Sequence, residues 1–221
     1  MTIRKLIFLL LTLLLIIFPT NALALTTVDV RQITTDSAQQ TQPFIYENKV
    51  AYTNHGGTQS IDIWGYNHQT QQNFPIIERP GQQFITDLYE DLIVYEDVDE
   101  TTLTSDVRVF NYKTGKDILI AGGEGSQGSG VTNGTKGLYI EGGGCGILYL
   151  YNHLTSEKRQ IFDSTCYPKL SGNLGVFPVN HPNGTDLKGY NLETDELFDI
   201  TTTDGFQETP DIFEDKVVWL H

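Results

Sequence analysis

Residues 43–52 read PFIYENKVAY, and the same decamer returns as TDLYEDLIVY at 86–95, VTNGTKGLYI at 131–140, PKLSGNLGVF at 168–177 and PDIFEDKVVW at 210–219. Each copy is an apolar β-branched or aromatic run, a polar pair and a second apolar run, the pattern of two strands joined by a tight turn. A second element follows at a similar distance: DIWGYN ending at Asn67, DVRVFN at Asn111, ILYLYN at Asn152 and DLKGYN at Asn191. A third precedes it, an Ile seven residues ahead of a Gln: Ile33 and Gln40, Ile76 and Gln83, Ile200 and Gln207. Three anchors in one phase define a repeat of about 40–45 residues, and a repeat must be read before anything else.

Each unit reads as four short strands. In the first these are PFIYEN (a), KVAYTN (b), SIDIWGYN (c) and, after the turn HQTQ, QNFPII (d). Four antiparallel strands per repeat make the blade of a β-propeller, in which each blade needs its neighbours to bury both faces. A sandwich has no reason to repeat at a fixed period, and helical repeats would need amphipathic helices that the chain lacks. The expectation is an all-β propeller with four full blades at about 36–78, 79–121, 122–163 and 164–202, and a partial fifth at 203–221. Residues 26–35, TTVDVRQITT, read as a lone d strand, because Ile33 matches Ile200. The third strand of the fifth unit would fall past residue 221, and pairing d directly to b would be parallel within an antiparallel meander. An open or imperfectly closed arc is therefore expected, belonging to a natural protein with about six or more blades.

The 221 residues carry a net charge of −14, are 39% hydrophobic and include only two cysteines. Such a chain repels phosphate backbones and anionic lipid, which argues against nucleic-acid and membrane-surface partners. Residues 1–24 place Arg4 and Lys5 ahead of the apolar run Leu6 to Phe18, then Pro19 and Ala22-Leu23-Ala24. That is a signal peptide with cleavage expected after Ala24, since the run is too short to span a membrane; an uncleaved anchor is the competing reading. The mature protein, residues 25–221, is expected in the periplasm, outside the cell or at its surface, as a monomer without a membrane span. In an oxidising compartment the lone pair Cys145 and Cys166 reads as one disulfide. In a four-stranded meander the b–c loop and the following d–a loop emerge on one face, which allows the bridge.

The motifs Q-x-x-P-x-I, K-V-x-[YW] and D-I-[WYR]-x-[YF]-N resemble the TolB-like propeller repeats of exported bacterial and archaeal proteins, over about residues 28–219. Blade 3 departs most: Val131 replaces Pro, Ile147 replaces Asp, and the Gln anchor is missing. The resemblance implies an exported binding or interaction module. TolB itself has a further domain ahead of its propeller, so a role in its envelope system is not carried over.

Most polar candidates recur at equivalent repeat positions. Asn48, Asp91, Asn173 and Asp215 share one turn position, Asp62, Asp106 and Asp186 share the start of strand c, and Asn67, Asn111, Asn152 and Asn191 begin the c–d turn, as their turn chemistry allows. Glu47, Glu90 and Glu214 are likewise mutually equivalent, as are Asp87 and Asp211, so the carboxylate pair of a glycosidase is not assigned and no catalytic residue is named. The acid run Glu96, Asp97, Val98, Asp99, Glu100 is placed in the b–c loop of blade 2. It is the candidate ligand-binding loop through Glu96, Asp97, Asp99 and Glu100, with Asp97, Asp99 and Asp106 a weak Ca²⁺ candidate that lacks the Gly and closing Glu of a calcium loop. His55, His68, His153, His181 and His221 show no metal spacing. Asn133-Gly134-Thr135 and Asn183-Gly184-Thr185 are formal glycosylation sequons read as turns. No cofactor is expected. The favoured function is a non-catalytic module binding a protein or glycan outside the cytoplasm through the loops Tyr95 to Ser105 and Gly122 to Val131; the alternative is a glycan-active hydrolase or lyase with its catalytic residues in further blades.

Overall fold

The computed structural model describes residue 30, residues 32–56 and residues 60–221. The leader and its cleavage site lie outside the described residues. Blade 1 comprises β1 (Gln40–Tyr46), β2 (Lys49–Asn54), β3 (Asp62–Asn67) and β4 (Gln72–Ile77), paired in that order as one antiparallel sheet. Blade 2 repeats this with β5 (Gln82–Tyr89), β6 (Leu92–Val98), β7 (Ser105–Asn111) and β8 (Lys116–Ala121). Blade 3 has β9 (Gln127–Thr132), β10 (Lys136–Glu141), β11 (Cys145–Asn152) and β12 (Lys158–Cys166). Blade 4 has β13 (Lys169–Ser171), β14 (Leu174–His181), β15 (Gly184–Asn191) and β16 (Glu196–Asp199). The two-residue β17 (Gly205–Phe206) adds to β15 in parallel, and β18 (Glu208–Phe213) pairs only with β19 (Lys216–Leu220).

The core lies between blades. Ala51, Ile63 and Ile77 of blade 1 meet Ile85, Leu88, Ile93 and Tyr95 of blade 2. Val94, Val107 and Val109 meet Tyr139 and Tyr151 across the next joint, and Leu138, Ile140 and Leu148 meet Phe177 and Tyr190 across the third. A blade is apolar on both faces because each face is another blade's partner. The arc is open. Ile45 is 72% exposed where its equivalent Leu88 is 6% exposed, and Val218 is 65% exposed where Ala51, Val94, Leu138 and Val176 are buried.

Local chemistry repeats with the blades. Each c–d turn is held by an asparagine whose Oδ1 accepts the N–H groups two and three residues on: Asn67, Asn111, Asn152 and Asn191, at 2.9–3.2 Å. The first residue of the a–b turn takes a left-handed conformation, Glu47, Glu90 and Glu214 at φ of 52°, 53° and 55°, with Gly172 at 55° in blade 4. The innermost strand of each full-length a–b pair carries a β-bulge. Gln42, Ser129, Tyr167 and Thr209, each two residues past the anchor position, have φ between 44° and 53°.

Blade joints depend on the anchor Gln. Gln83 N–H donates to the Ile61 carbonyl at 2.7 Å and Gln207 N–H to the Thr185 carbonyl at 2.9 Å, each in the blade before. In blade 3 the Ser105 hydroxyl donates to the Gln127 carbonyl at 2.8 Å. The anchor missing from blade 3 in the sequence pattern is thus Gln127: it stands twelve residues ahead of Tyr139, as Gln40 stands ahead of Tyr52 and Gln83 ahead of Tyr95, so the blade-3 decamer lies one residue out of phase with the paired register, in which Lys136 faces Asn152 as Lys49 faces Asn67. Of the d strand expected at 26–35, residues 26–29 and 31 lie outside the described residues. Of residues 26–35, those described form no strand, and the Ile33 carbonyl accepts a bond from Asn73 on β4, the outer strand of blade 1.

Candidate functional site

The five innermost segments converge on a cavity of about 660 Å³. β1 contributes Gln42 to Ile45, β5 Ile85 to Leu88, β9 Ser129 and Val131, the approach to β13 Tyr167 to Leu170, and β18 Asp211 and Ile212. This is the propeller channel, and the bulges turn side chains toward it by bending each innermost strand. Polar groups of both signs face it: Thr86, Asp87, Glu96, Ser129, Tyr167, Lys169 and Asp211.

The two best-placed carboxyls are engaged. Asp87 Oδ2 accepts the Thr132 N–H at 2.8 Å and its Oδ1 the Leu88 N–H at 2.9 Å. Burial pushes this carboxyl up to about 6, against the pull of those two donors and of Lys169. Asp211 Oδ1 accepts the Ile212 N–H in the same way at 3.0 Å. Glu96 Oε1 accepts the Ser129 N–H at 2.8 Å, and burial outweighs that bond to raise its pKa. The bulge in β9 leaves the Ser129 N–H without a ladder partner, and a buried N–H must find an acceptor. At the preceding joint Thr53 Oγ1 accepts the Ile85 N–H at 3.2 Å, from the same repeat position as Glu96 onto the same repeat position as Ser129. Glu96 is therefore the blade-2 form of a staple between blades.

The acid run is divided by the fold. Glu96, Asp97 and Val98 belong to β6, and the turn proper begins at Asp99. Asp97 meets Arg79 at 3.2 Å and the Gln83 amide at 3.2 Å, within a cluster where Asp117 takes Arg79 at 2.6 Å, Arg108 at 3.0 Å and the Tyr95 hydroxyl at 3.2 Å. Burial would push the Asp117 carboxyl up, but Arg108 and Arg79 outweigh it and hold the group below the usual carboxylate range. Asp99 caps its own turn, accepting the N–H groups of Thr101 and Thr102 at 2.8 and 2.9 Å, and Glu100 is exposed in that turn. Asp106 pairs across from Asp97 in β7, with its carboxyl against Gly122. Among the described residues no three His, Cys, Asp or Glu side chains gather as a metal-ligand set.

The remaining polar candidates serve the scaffold. His153 Nε2 lies 2.8 Å from the Thr132 hydroxyl, and burial pushes its pKa down to about 4. His55 meets the Thr41 hydroxyl at 2.9 Å, and His181 lies 3.6 Å from Asp186. Asn133, first of the sequons, donates to the Gly172 carbonyl at 2.9 Å and joins blades 3 and 4. Cys145 and Cys166 are disulfide-bonded as a cross-strand pair of β11 and β12, so the bridge lies within blade 3. Sequence reasoning did not single out Gln42, Tyr167 and Lys169. The signal for them was their place one residue either side of the decamer's first position, where the innermost strand bulges.

No known protein family and no curated protein matches the sequence. Solved structures match in shape. TolB from Acinetobacter baumannii aligns with a TM-score of 0.56 at 11% identity, over 79% of this chain and 47% of that one. The propeller domain of the trilobed protease from Pyrococcus furiosus, described by its open velcro topology, aligns at 0.63 and 13% over 81% and 64%. An oligogalacturonate lyase in complex with manganese aligns at 0.53 and 12% over 70% and 50%. The chain spans about half the length of the TolB and lyase chains it matches. At such identities likeness speaks for fold, and the fold is the β-propeller that these structures share, TolB among them.

Proposed function

We propose that the chain is an exported, non-catalytic binding module whose ligand, a protein segment or a glycan outside the cytoplasm, enters the central cavity. The observation that carries this reading is the cavity itself: about 660 Å³ lined by five strands, mixing Lys169, Asp211, Tyr167 and Gln42 with apolar walls. Convergent polar groups of both signs, set beside apolar walls, are what orient a bound molecule. The best-placed carboxyls, Asp87 and Glu96, each give one oxygen to a backbone N–H of β9, and Asp87 gives its other to the Leu88 N–H, which supports binding over acid–base chemistry. The disulfide supports an address outside the cytoplasm.

One observation favours the alternative, a glycan-active hydrolase or lyase: two carboxyls with raised pKa line the same cavity. Capture from envelope extract and binding to a glycan array, beside turnover assays on polysaccharides and esters, separates the two. Lys169→Glu and Tyr167→Ala should weaken capture about tenfold, the loss of one good contact. Turnover abolished by Asp87→Asn would replace the binding reading with the enzymatic one.

A further inference from the structure

A second hollow, separate from the channel, lies between blades 1 and 2. It measures about 330 Å³, and its apolar walls include Ala51, Phe74, Ile76, Leu88 and Ile93. One repeat later the corresponding space, between blades 2 and 3, holds about 10 Å³. Two wall positions carry smaller side chains here than one repeat later, while across the joint Ile93 and Tyr112 stand where the filled joint has Gly137 and His153. Ala51 on β2 and Gly65 on β3 occupy the positions of Val94 on β6 and Val109 on β7, and both valines are buried in the filled joint. The Phe74 ring lies against Gly65: a Cβ there would come within 2.8 Å of Phe74 Cζ and 2.9 Å of Ile76 Cδ1. Protein interiors are close-packed, so an apolar hollow of this size at a joint that the same chain fills one repeat on is unusual.

We infer that this inter-blade hollow is a binding site for a small neutral apolar ring, a monocyclic aromatic compound or group. The volume falls at the low end of the roughly 300–1,000 Å³ of ligand pockets. Neutrality follows from Lys49, the one lysine or arginine on its wall. Its Nζ donates to Asp91 Oδ1 and to the Glu90 carbonyl, both at 3.0 Å, and lies 5.9 and 5.7 Å from the ring centres of Tyr46 and Tyr112. An anion would compete with Asp91 in a chain of net charge −14, and a cation would meet Lys49 itself. Blade 4 repeats the motif, with Phe198 over Gly189, but the groove beside it is bordered by Glu214 and Asp215 and suits no neutral ring.

The site shares only Leu88 with the channel. Benzyl alcohol, benzoate and benzylamine are titrated into the whole oxidised chain and followed by ligand-observed NMR. Saturable binding of benzyl alcohol is expected at about 1 mM, as suits a ligand of so few atoms. Ala51→Val, which installs the residue of blade 2, should weaken it tenfold or more. Gln69→Trp, on the exposed rim, should do the same without touching the core and decides the matter if Ala51→Val fails to fold. Leu154→Ala, on the exposed turn of blade 3, should leave binding unchanged. No saturation, undiminished binding to both pocket variants, or tighter binding of either charged probe overturns the inference.

Discussion

Reducing the Cys145–Cys166 bond should destabilise the protein by about 3 kcal/mol. The bond closes a loop of two adjacent strands, with a sequence separation of 21, and the chain-entropy model assigns about that much to a loop of such length. Its position decides where the loss is felt. The c–d hairpin of blade 3 is closed at one end by the Asn152 turn and at the other by the disulfide, directly beyond the pair Gly146 and Thr165. The Thr165 hydroxyl donates to the Pro178 carbonyl of β14, so fraying of the end of β12 loosens the joint to blade 4 as well. In a domain of this size each kcal/mol moves the midpoint by about 2–4 °C, so melting should fall by about 6–12 °C. Calorimetry of the oxidised protein, the reduced protein and a Cys145→Ser, Cys166→Ser double variant checks this, with the last two expected to agree. Two reactive thiols in the unreduced, unfolded chain, or a midpoint that moves less than about 2 °C on reduction, would refute the reasoning.

Three further outcomes follow from the same structure. Asn111→Ala removes the acceptor for the Lys113 and Thr114 N–H groups and should cost about 1–2 kcal/mol in urea unfolding, with Asn152→Ala costing a similar amount. Asp87 carries a folded pKa raised from 3.8 to about 6, so the native state holds a proton that the unfolded chain releases between those values. Stability therefore falls as pH rises through this window, by about 1 kcal/mol between about pH 5 and about pH 7.5, and Asp87→Asn should remove that part of the slope; parallel curves for the two proteins would contradict it. Asp117→Ala leaves Arg79 and Arg108 to share Asp97 alone and should cost about 2 kcal/mol, while Asp195→Ala, at the half-exposed pair with Arg159, should have little effect in the same denaturation assay.

The strand order, the blade count, the turn asparagines and the cysteine pair were all legible in the repeat, because each rests on contacts within one blade. Those contacts are local in sequence, and an asparagine that bonds the next two or three N–H groups needs nothing else. Gln127 escaped the pattern because the glycine- and threonine-rich turn of blade 3 hides the phase of its decamer by one residue, and only the pairing of Lys136 with Asn152 reveals it. The acid run looked like one loop because charge suggests exposure. In the structure its members part: Glu96 turns to the Ser129 N–H of the next blade, Asp97 to Arg79 and Gln83, and Asp99 to its own turn. Alternation along a strand sends neighbouring side chains to opposite faces, and each face belongs to a different joint. The amino-acid order settles how a blade is built. Tertiary packing alone decides which side chains meet between blades, and so where the bulged strands leave a polar channel and where an alanine and a glycine leave an apolar hollow.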